Sequence, residues 1–351
     1  MKKKKLLKIG IITAITLMNT GGLLSRTSVD ASAKNIFNLQ QPPISTTLPQ
    51  ERLDIAGIFA NLIYGAAFTN KINDSSGHMN GGPYPFEKEF NAHLDWYKTV
   101  DKETWKIESD VQLKATYLPN IKKSNKTVIL IHGFSSQPNF MGAWAKVYYD
   151  LGYNILTPEM RGHGTSPDKQ RSLGWKDKDD IAQWAKLLNE KTDADSEIIL
   201  SGLSMGASIA MMSSTATELP PNVKAIIEDC GYTSIAEQVK FLINDKLGFL
   251  NDETRALVYH KLNDLLLERQ GFKMEEGSAI DQIKQSKIPL LVIHGDSDTA
   301  VPTSMAKAIY EASPAPQKDI LLVPSASHPE AILFDLPQYQ QKVASFLEKV
   351  W

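Results

Sequence analysis

A single cysteine, Cys230, stands in a chain of 351 residues. One thiol excludes an internal disulfide framework and any cysteine-rich zinc or iron–sulfur site. Charge of either sign is also scarce in sum, with 38 basic against 40 acidic residues for a formal net charge of -2. There is no collagen-like glycine period or coiled-coil heptad, and 42% hydrophobic with 8% aromatic residues is ordinary globular composition. The length admits about two domains, or one large α/β domain, with a core that needs no staple.

The near-zero charge sums two unlike segments. Residues 1–33 hold six basic groups (Lys2, Lys3, Lys4, Lys5, Lys8 and Arg26) and one acid, Asp30. The remainder is net acidic, which offers nothing to a polyanion such as nucleic acid. Lys2 to Lys5, the apolar stretch Ile9 to Met18 and Ala31-Ser32-Ala33 follow the order of an export signal: a basic start, an apolar run and a small-residue cleavage site. The apolar run falls short of the ~20 residues of a spanning helix, and extending it to Leu24 takes in Asn19, Thr20, Gly21 and Gly22. The expectation is a cleaved signal peptide, with an uncleaved signal-anchor as the alternative. Either places the body outside the cell membrane, secreted or tethered.

Residues 34–50, with Pro42, Pro43 and Pro49, read as a linker. Arg52 to Phe68 has the apolar stripe Ile55, Ile58, Phe59, Leu62 and Ile63 of a helix, and Asn73 to Pro85 has loop composition. Residues 34–104 are thus read as linker and helical lead-in. From Trp105 the pattern changes. A hairpin (Trp105 to Ile107, Val111 to Leu118) precedes short apolar runs at Val128–Ile131, Asn154–Thr157, Glu197–Leu200, Val223–Ile227, Leu290–Ile293 and Asp319–Val323, with amphipathic helices between them. That alternation predicts an α/β fold, a mostly parallel sheet with helices on both faces. Some sixty residues separate the strand ending at Glu228 from that at Leu290, more than one crossover needs. Helical patterns at Ile235–Leu247 and Glu253–Gln270, the second behind the capping candidates Asn251 and Asp252, suggest a lid over about residues 232–285.

Gly202-Leu203-Ser204-Met205-Gly206 matches G-x-S-x-G between a predicted strand and a predicted helix. A nucleophile on so tight a turn needs bulk-free residues two before and two after it, which Gly202 and Gly206 supply. A hydroxyl needs a base to take its proton. Of seven histidines, His132, His163 and His294 precede glycines where packing or turn roles serve. His78 and His93 precede the sheet, and His260 lies inside the insertion. His328, in a loop of small residues after the last strand, is the candidate base. The acid should follow the strand Leu290–Ile293, where spacing leaves both Asp296 and Asp298 open, the unused one forming a turn. The backbone amides of Met205 and of Phe134, in the loop after Val128–Ile131, are the candidate oxyanion donors.

Together, His132-Gly133-Phe134, Arg161-Gly162-His163-Gly164, Gly202 to Ala207, Glu228 to Ser234, His294-Gly295-Asp296-Ser297-Asp298 and Ser327-His328 resemble the α/β-hydrolase superfamily. More narrowly, the chain resembles its exported or membrane-tethered Bem46-like and serine-aminopeptidase-like bacterial branch. The resemblance covers about residues 105–350. It selects Asp298 over Asp296 and implies a Ser204–His328–Asp298 hydrolase with no metal and no organic cofactor. Where that family often has Pro-Asp before the Arg-Gly-His-Gly loop, this chain has Pro158-Glu159-Met160. The resulting expectation is a carboxylesterase-like serine hydrolase acting on a small acyl ester. The alternatives are a peptidase or amidase of the same fold acting on a short peptide, and a non-catalytic binding protein on a hydrolase scaffold.

Overall fold

The computed structural model describes residues 54–70, 82–192 and 196–350. The export-signal reading, the 34–50 linker, most of the Asn73–Pro85 loop and His78 lie outside them.

Eight strands form one sheet: β1 (Glu103–Glu108), β2 (Gln112–Leu118), β3 (Lys126–Ile131), β4 (Asn154–Pro158), β5 (Glu197–Leu203), β6 (Val223–Asp229), β7 (Leu290–Gly295) and β8 (Lys318–Val323). Their order is β1-β2-β4-β3-β5-β6-β7-β8. β1 pairs antiparallel with β2, and β2 antiparallel with β4, while every other pairing is parallel. The burial of the strands follows from these places. In β2, near the edge, exposed and buried residues alternate with the period-2 pleat, whereas in β3 every residue after Lys126 is buried because helices cover both faces.

The helices are α1 (Ile55–Ala67), α2 (Glu87–Thr99), α3 (Gly142–Asp150), α4 (Asp177–Lys191), α5 (Met205–Ser213), α6 (Ile235–Lys246), α7 (Asp252–Gln270), α8 (Ala279–Ile283), α9 (Thr303–Ala312), α10 (Ala331–Phe334) and α11 (Leu336–Val350). One apolar cluster joins α1 and α4 to α9 with one face of the sheet, and a second joins α2, α3, α10 and α11 with the other. This is the α/β arrangement expected from the alternation of strands and helices.

Two features depart from the sequence reading. Helix α2 falls within the stretch read as linker and helical lead-in, but no clear apolar stripe marks it in the sequence. Its mean hydropathy is low, but Phe90 and Tyr97 are buried, the latter with its hydroxyl 2.8 Å from Thr157 Oγ1. The stretch between β6 and β7 forms three helices rather than two. Its Val239, Ile243, Val258, Leu262, Leu266 and Ile283 belong to the same core cluster as Met205 and Ile209 of α5, so much of the insertion is structural core. Asn251 rather than Asp252 caps α7, accepting from the Thr254 amide at 2.8 Å, and Gly271 ends the helix at φ 79°, a left-handed conformation that suits glycine. Helix α1 lies against α7, with Asp54 2.9 Å from Lys261 and the Gln270 side-chain amide donating to Phe68 O at 3.1 Å.

Candidate active site

Ser204 sits between β5 and α5 with φ 56° and ψ -115°, a strained conformation for a residue with a side chain. The chain tolerates it because both flanking glycines pass other backbone too closely for any Cβ. A Cβ on Gly202 would stand 2.1 Å from Gly206 O, and one on Gly206 would stand 2.1 Å from Ile131 O. The Ser204 amide is tied to Asp229 O at 2.7 Å. The hydroxyl is thereby lifted clear of the sheet at the start of α5, whose first amides have no intrahelical acceptor.

His328 reaches the serine from the loop after β8. Its Nε2 lies 2.8 Å from Ser204 Oγ and its Nδ1 lies 2.7 Å from Asp298 Oδ2. The other carboxylate oxygen of Asp298 accepts the amides of Ala300 at 2.8 Å and Val301 at 2.9 Å. Burial works against the charge on Asp298, but His328 and His294 beside it pull the carboxyl well below the usual range, so it is ionised at neutral pH. The two aspartates that spacing left open are therefore separated. Asp296 accepts from the Ser325 amide at 2.7 Å and the Ser297 hydroxyl at 2.9 Å, the turn-forming role expected of the unused one, and it pins the loop that carries His328. That loop is braced from below by Glu330, which accepts from the Ser327 amide at 3.1 Å and from the Tyr84 hydroxyl at 2.6 Å.

The loop after β3 approaches from the other side. A Cβ on Gly133 would lie 3.4 Å from the Cβ of Ser204, which puts the His132-Gly133-Phe134 turn against the nucleophile position. Two histidines lock this turn. His163 Nδ1 lies 2.8 Å from Arg161 O, and a carbonyl only accepts, so that nitrogen carries the hydrogen and Nε2 accepts the Ser135 amide at 3.1 Å. His132 is placed alike, with Nδ1 2.9 Å from Gly133 O and Nε2 accepting the Met160 amide at 3.1 Å. Burial, then the neighbouring His132 and Arg171, push His163 well below its ordinary value, so it stays neutral. The turn role assigned to these two histidines from sequence is the one they fill. The Phe134 ring has the Arg171 guanidinium 4.9 Å from its centroid and the His163 ring edge-on at 6.0 Å. Glu159 accepts from the Thr165 amide at 2.9 Å and the Thr165 hydroxyl at 2.8 Å, which caps the loop.

Beneath the site lie two buried acids that sequence reading did not single out for a role. Burial pushes Glu228 up to about 8 and Asp229 up to about 6, and Asp229 accepts from Trp144 Nε1 and the Tyr339 hydroxyl, each at 3.0 Å. A run of two acids at the end of an apolar strand was the available signal, since burial of such groups needs a reason. Among the described residues, the one trio of potential metal ligands is Cys230, Asp298 and His328, with donor atoms within 4.8 Å of one another. Asp298 and His328 are already bound to each other, and burial pushes the Cys230 thiol up, so the trio is poorly suited to hold a resident ion. His260 lies on α7 and His93 on α2, and neither joins the group around Ser204.

Comparison with known proteins places the chain. Residues 122–263 match the family described as serine aminopeptidase, S33. The thermostable monoacylglycerol lipase of Bacillus sp. (strain H-257) is 24% identical over 237 residues, covering 63% of this chain and 90% of that one. Protein bem46 of Schizosaccharomyces pombe is 22% identical over 288 residues, 82% of this chain and 84% of that one. Among solved structures, the Pyrococcus furiosus esterase Pf2001 superposes with a TM-score of 0.58 at 21% identity, covering 79% of this chain and 97% of that one, a likeness of fold.

Proposed function

Since the chain is an α/β hydrolase related to the Bem46-like and serine-aminopeptidase-like proteins, we propose that it is a serine hydrolase that cleaves a carboxylic ester through Ser204, His328 and Asp298. The observation that carries this reading is the unbroken hydrogen-bonded line Ser204 Oγ, His328 Nε2, His328 Nδ1, Asp298 Oδ2, with separations of 2.8 and 2.7 Å. In it the serine has a base, and the base has an ionised partner that fixes its tautomer.

In the reaction that follows, His328 Nε2 takes the Ser204 proton as Oγ bonds to the substrate carbonyl carbon. The carbonyl oxygen becomes an oxyanion, held by the amides of Met205 and Phe134. His328 returns the proton to the departing alkoxide, leaving an acyl group on Ser204. Water, deprotonated by the same histidine, then releases the acid and restores the enzyme. Asp298 stabilises the imidazolium at each stage and is not itself protonated. An ester is the favoured substrate because its alkoxide leaves with little help, and because a relative similar over 63% of the chain is described as a monoacylglycerol lipase. The peptidase reading has one specific support, the serine aminopeptidase description of the matching family.

A fluorophosphonate probe should label the protein at Ser204, and Ser204→Ala should abolish both labelling and the turnover of short p-nitrophenyl esters. Wild-type protein that neither labels nor turns over would overturn the catalytic reading and leave a binding scaffold. Faster cleavage of aminoacyl anilides than of esters would shift the assignment to the peptidase.

A further inference from the structure

His294, the penultimate residue of β7, is wholly buried. Its Nε2 lies 2.9 Å from Val301 O, which only accepts, so this nitrogen carries a hydrogen. The same nitrogen is 3.2 Å from Asp298 Oδ2, the oxygen that His328 Nδ1 reaches at 2.7 Å. One carboxylate oxygen thus faces two imidazoles, and the other is held by two backbone amides. Behind His294 stands Glu228. In the parallel pairing of β6 with β7, Glu228 is opposite Val292, so Glu228 and His294 lie on the same face of the sheet, one pleat apart. Glu228 Oε2 accepts the Gly231 amide at 2.8 Å, whereas Glu228 Oε1 and His294 Nδ1 are buried without a hydrogen-bond partner in this structure.

We propose that His294 is a positioning residue for Asp298, and that the charge on His294 sets how strongly Asp298 draws a proton onto His328. The proposal rests on the catalytic reading of Ser204, His328 and Asp298. Its physical basis is short-range electrostatics in a dry interior. An imidazolium at His294 offsets the carboxylate charge of Asp298 and so weakens the hold that Asp298 has on a proton at His328. Burial opposes that charge on His294, but the contacts with its neighbours, led by the hydrogen bond to Asp298, raise it above its ordinary value. The titratable groups around His294 are Glu228, Asp229 and Cys230 at the end of β6, and Asp298 and His328 in the loops after β7 and β8. On its other side, β8 sets Leu322 opposite it, and α9 turns buried Ala306 and Ile309 inward while Lys307 and Glu311 stay exposed.

The test compares the full protein with His294→Gln, which keeps an N–H donor for Asp298 but carries no charge, and with Glu228→Gln. The readouts are the pH dependence of kcat/KM on a short p-nitrophenyl ester, the pH dependence of fluorophosphonate labelling, and the imidazole NMR titration of histidine-labelled protein. The acidic limb of His294→Gln should move up by about half a pH unit or more, with slower labelling in mild acid and KM little changed. In wild-type protein the NMR titration of His294 should lie above that of an ordinary imidazole, and in Glu228→Gln it should move little, because Glu228 holds its own proton up to about 8. An unshifted limb in a folded His294→Gln, even one of lower stability, would make His294 a packing residue and overturn the proposal. If His294→Gln does not fold, a wild-type His294 that is already neutral in mild acid overturns it instead. Failure of the catalytic reading is distinct, because wild-type protein would then not label at any pH.

Discussion

Two aspartates, two residues apart in the same loop, are given different work by the groups that reach them. Asp298 meets His328 and His294, whereas Asp296 meets the Ser325 amide and the Ser297 hydroxyl. Asp298→Asn should lower kcat by about 10³- to 10⁴-fold with little change in fold, because an amide neither selects the needed tautomer nor stabilises the imidazolium. Asp296→Asn keeps an acceptor for the Ser325 amide, so it should keep kcat within about tenfold and cost about 1 kcal/mol of stability. Steady-state kinetics and thermal unfolding of the pair check both. Equal losses of kcat would mean that the acid has been misassigned. Sequence spacing did not separate these residues, because both fall beyond a strand end, and family resemblance supplied the choice of Asp298.

Among elements, the insertion between β6 and β7 departs furthest from a simple lid. Its helix α7 buries Val258, Leu262 and Leu266 on one stripe, in the core cluster that also holds Met205, and α1 packs along the same helix. Phe249, in the turn between α6 and α7, remains 54% exposed. Leu262→Ala should cost about 2–4 kcal/mol in denaturant unfolding, as a large-to-small change at a fully buried site does, and Phe249→Ser should cost under about 1 kcal/mol. If Leu262→Ala is as mild as the surface change, α7 is a mobile cover and not core. The helical period of α7 and its Asn251 cap were legible in sequence. Helix α2 was not, since its few apolar residues make a stripe too thin to stand out until Phe90 and Tyr97 find the sheet's second face.

The whole molecule stores several acids where water does not reach. Burial pushes Glu228 up to about 8, Asp177 up to about 6 and Asp229 up to about 6. Each binds its proton more tightly folded than unfolded, so the stability it confers is fully present below the unfolded value and is lost as pH rises through the folded one. Asp298 has the opposite sign. Its folded value lies below the unfolded 3.8, so its contribution is present above that value and is lost in stronger acid. The protein should therefore be most stable in mild acid and weaken steadily toward pH 8, and Glu228→Gln should flatten the part of that decline between about 4.5 and 8. Unfolding free energies measured across this range check it, and a wild-type protein whose stability rises from pH 5 to pH 8 would contradict it.

By itself the sequence determined the alternation of strands and helices and the strand-to-helix turn at Ser204, and it put His328 forward as the candidate base. These rest on local periodicity, on glycines that admit close backbone, and on chain order, all of which neighbouring residues carry. Only the tertiary structure decided which groups share an oxygen. His294 had the look of a turn histidine until β7 and the loop after it brought its Nε2 to 3.2 Å from Asp298, and Glu228 and Asp229 looked like ordinary acids until two strands and α11 closed over them. Distances of that kind are set by strand register and by the packing of loops from four separate strand ends, and no short stretch of chain contains them.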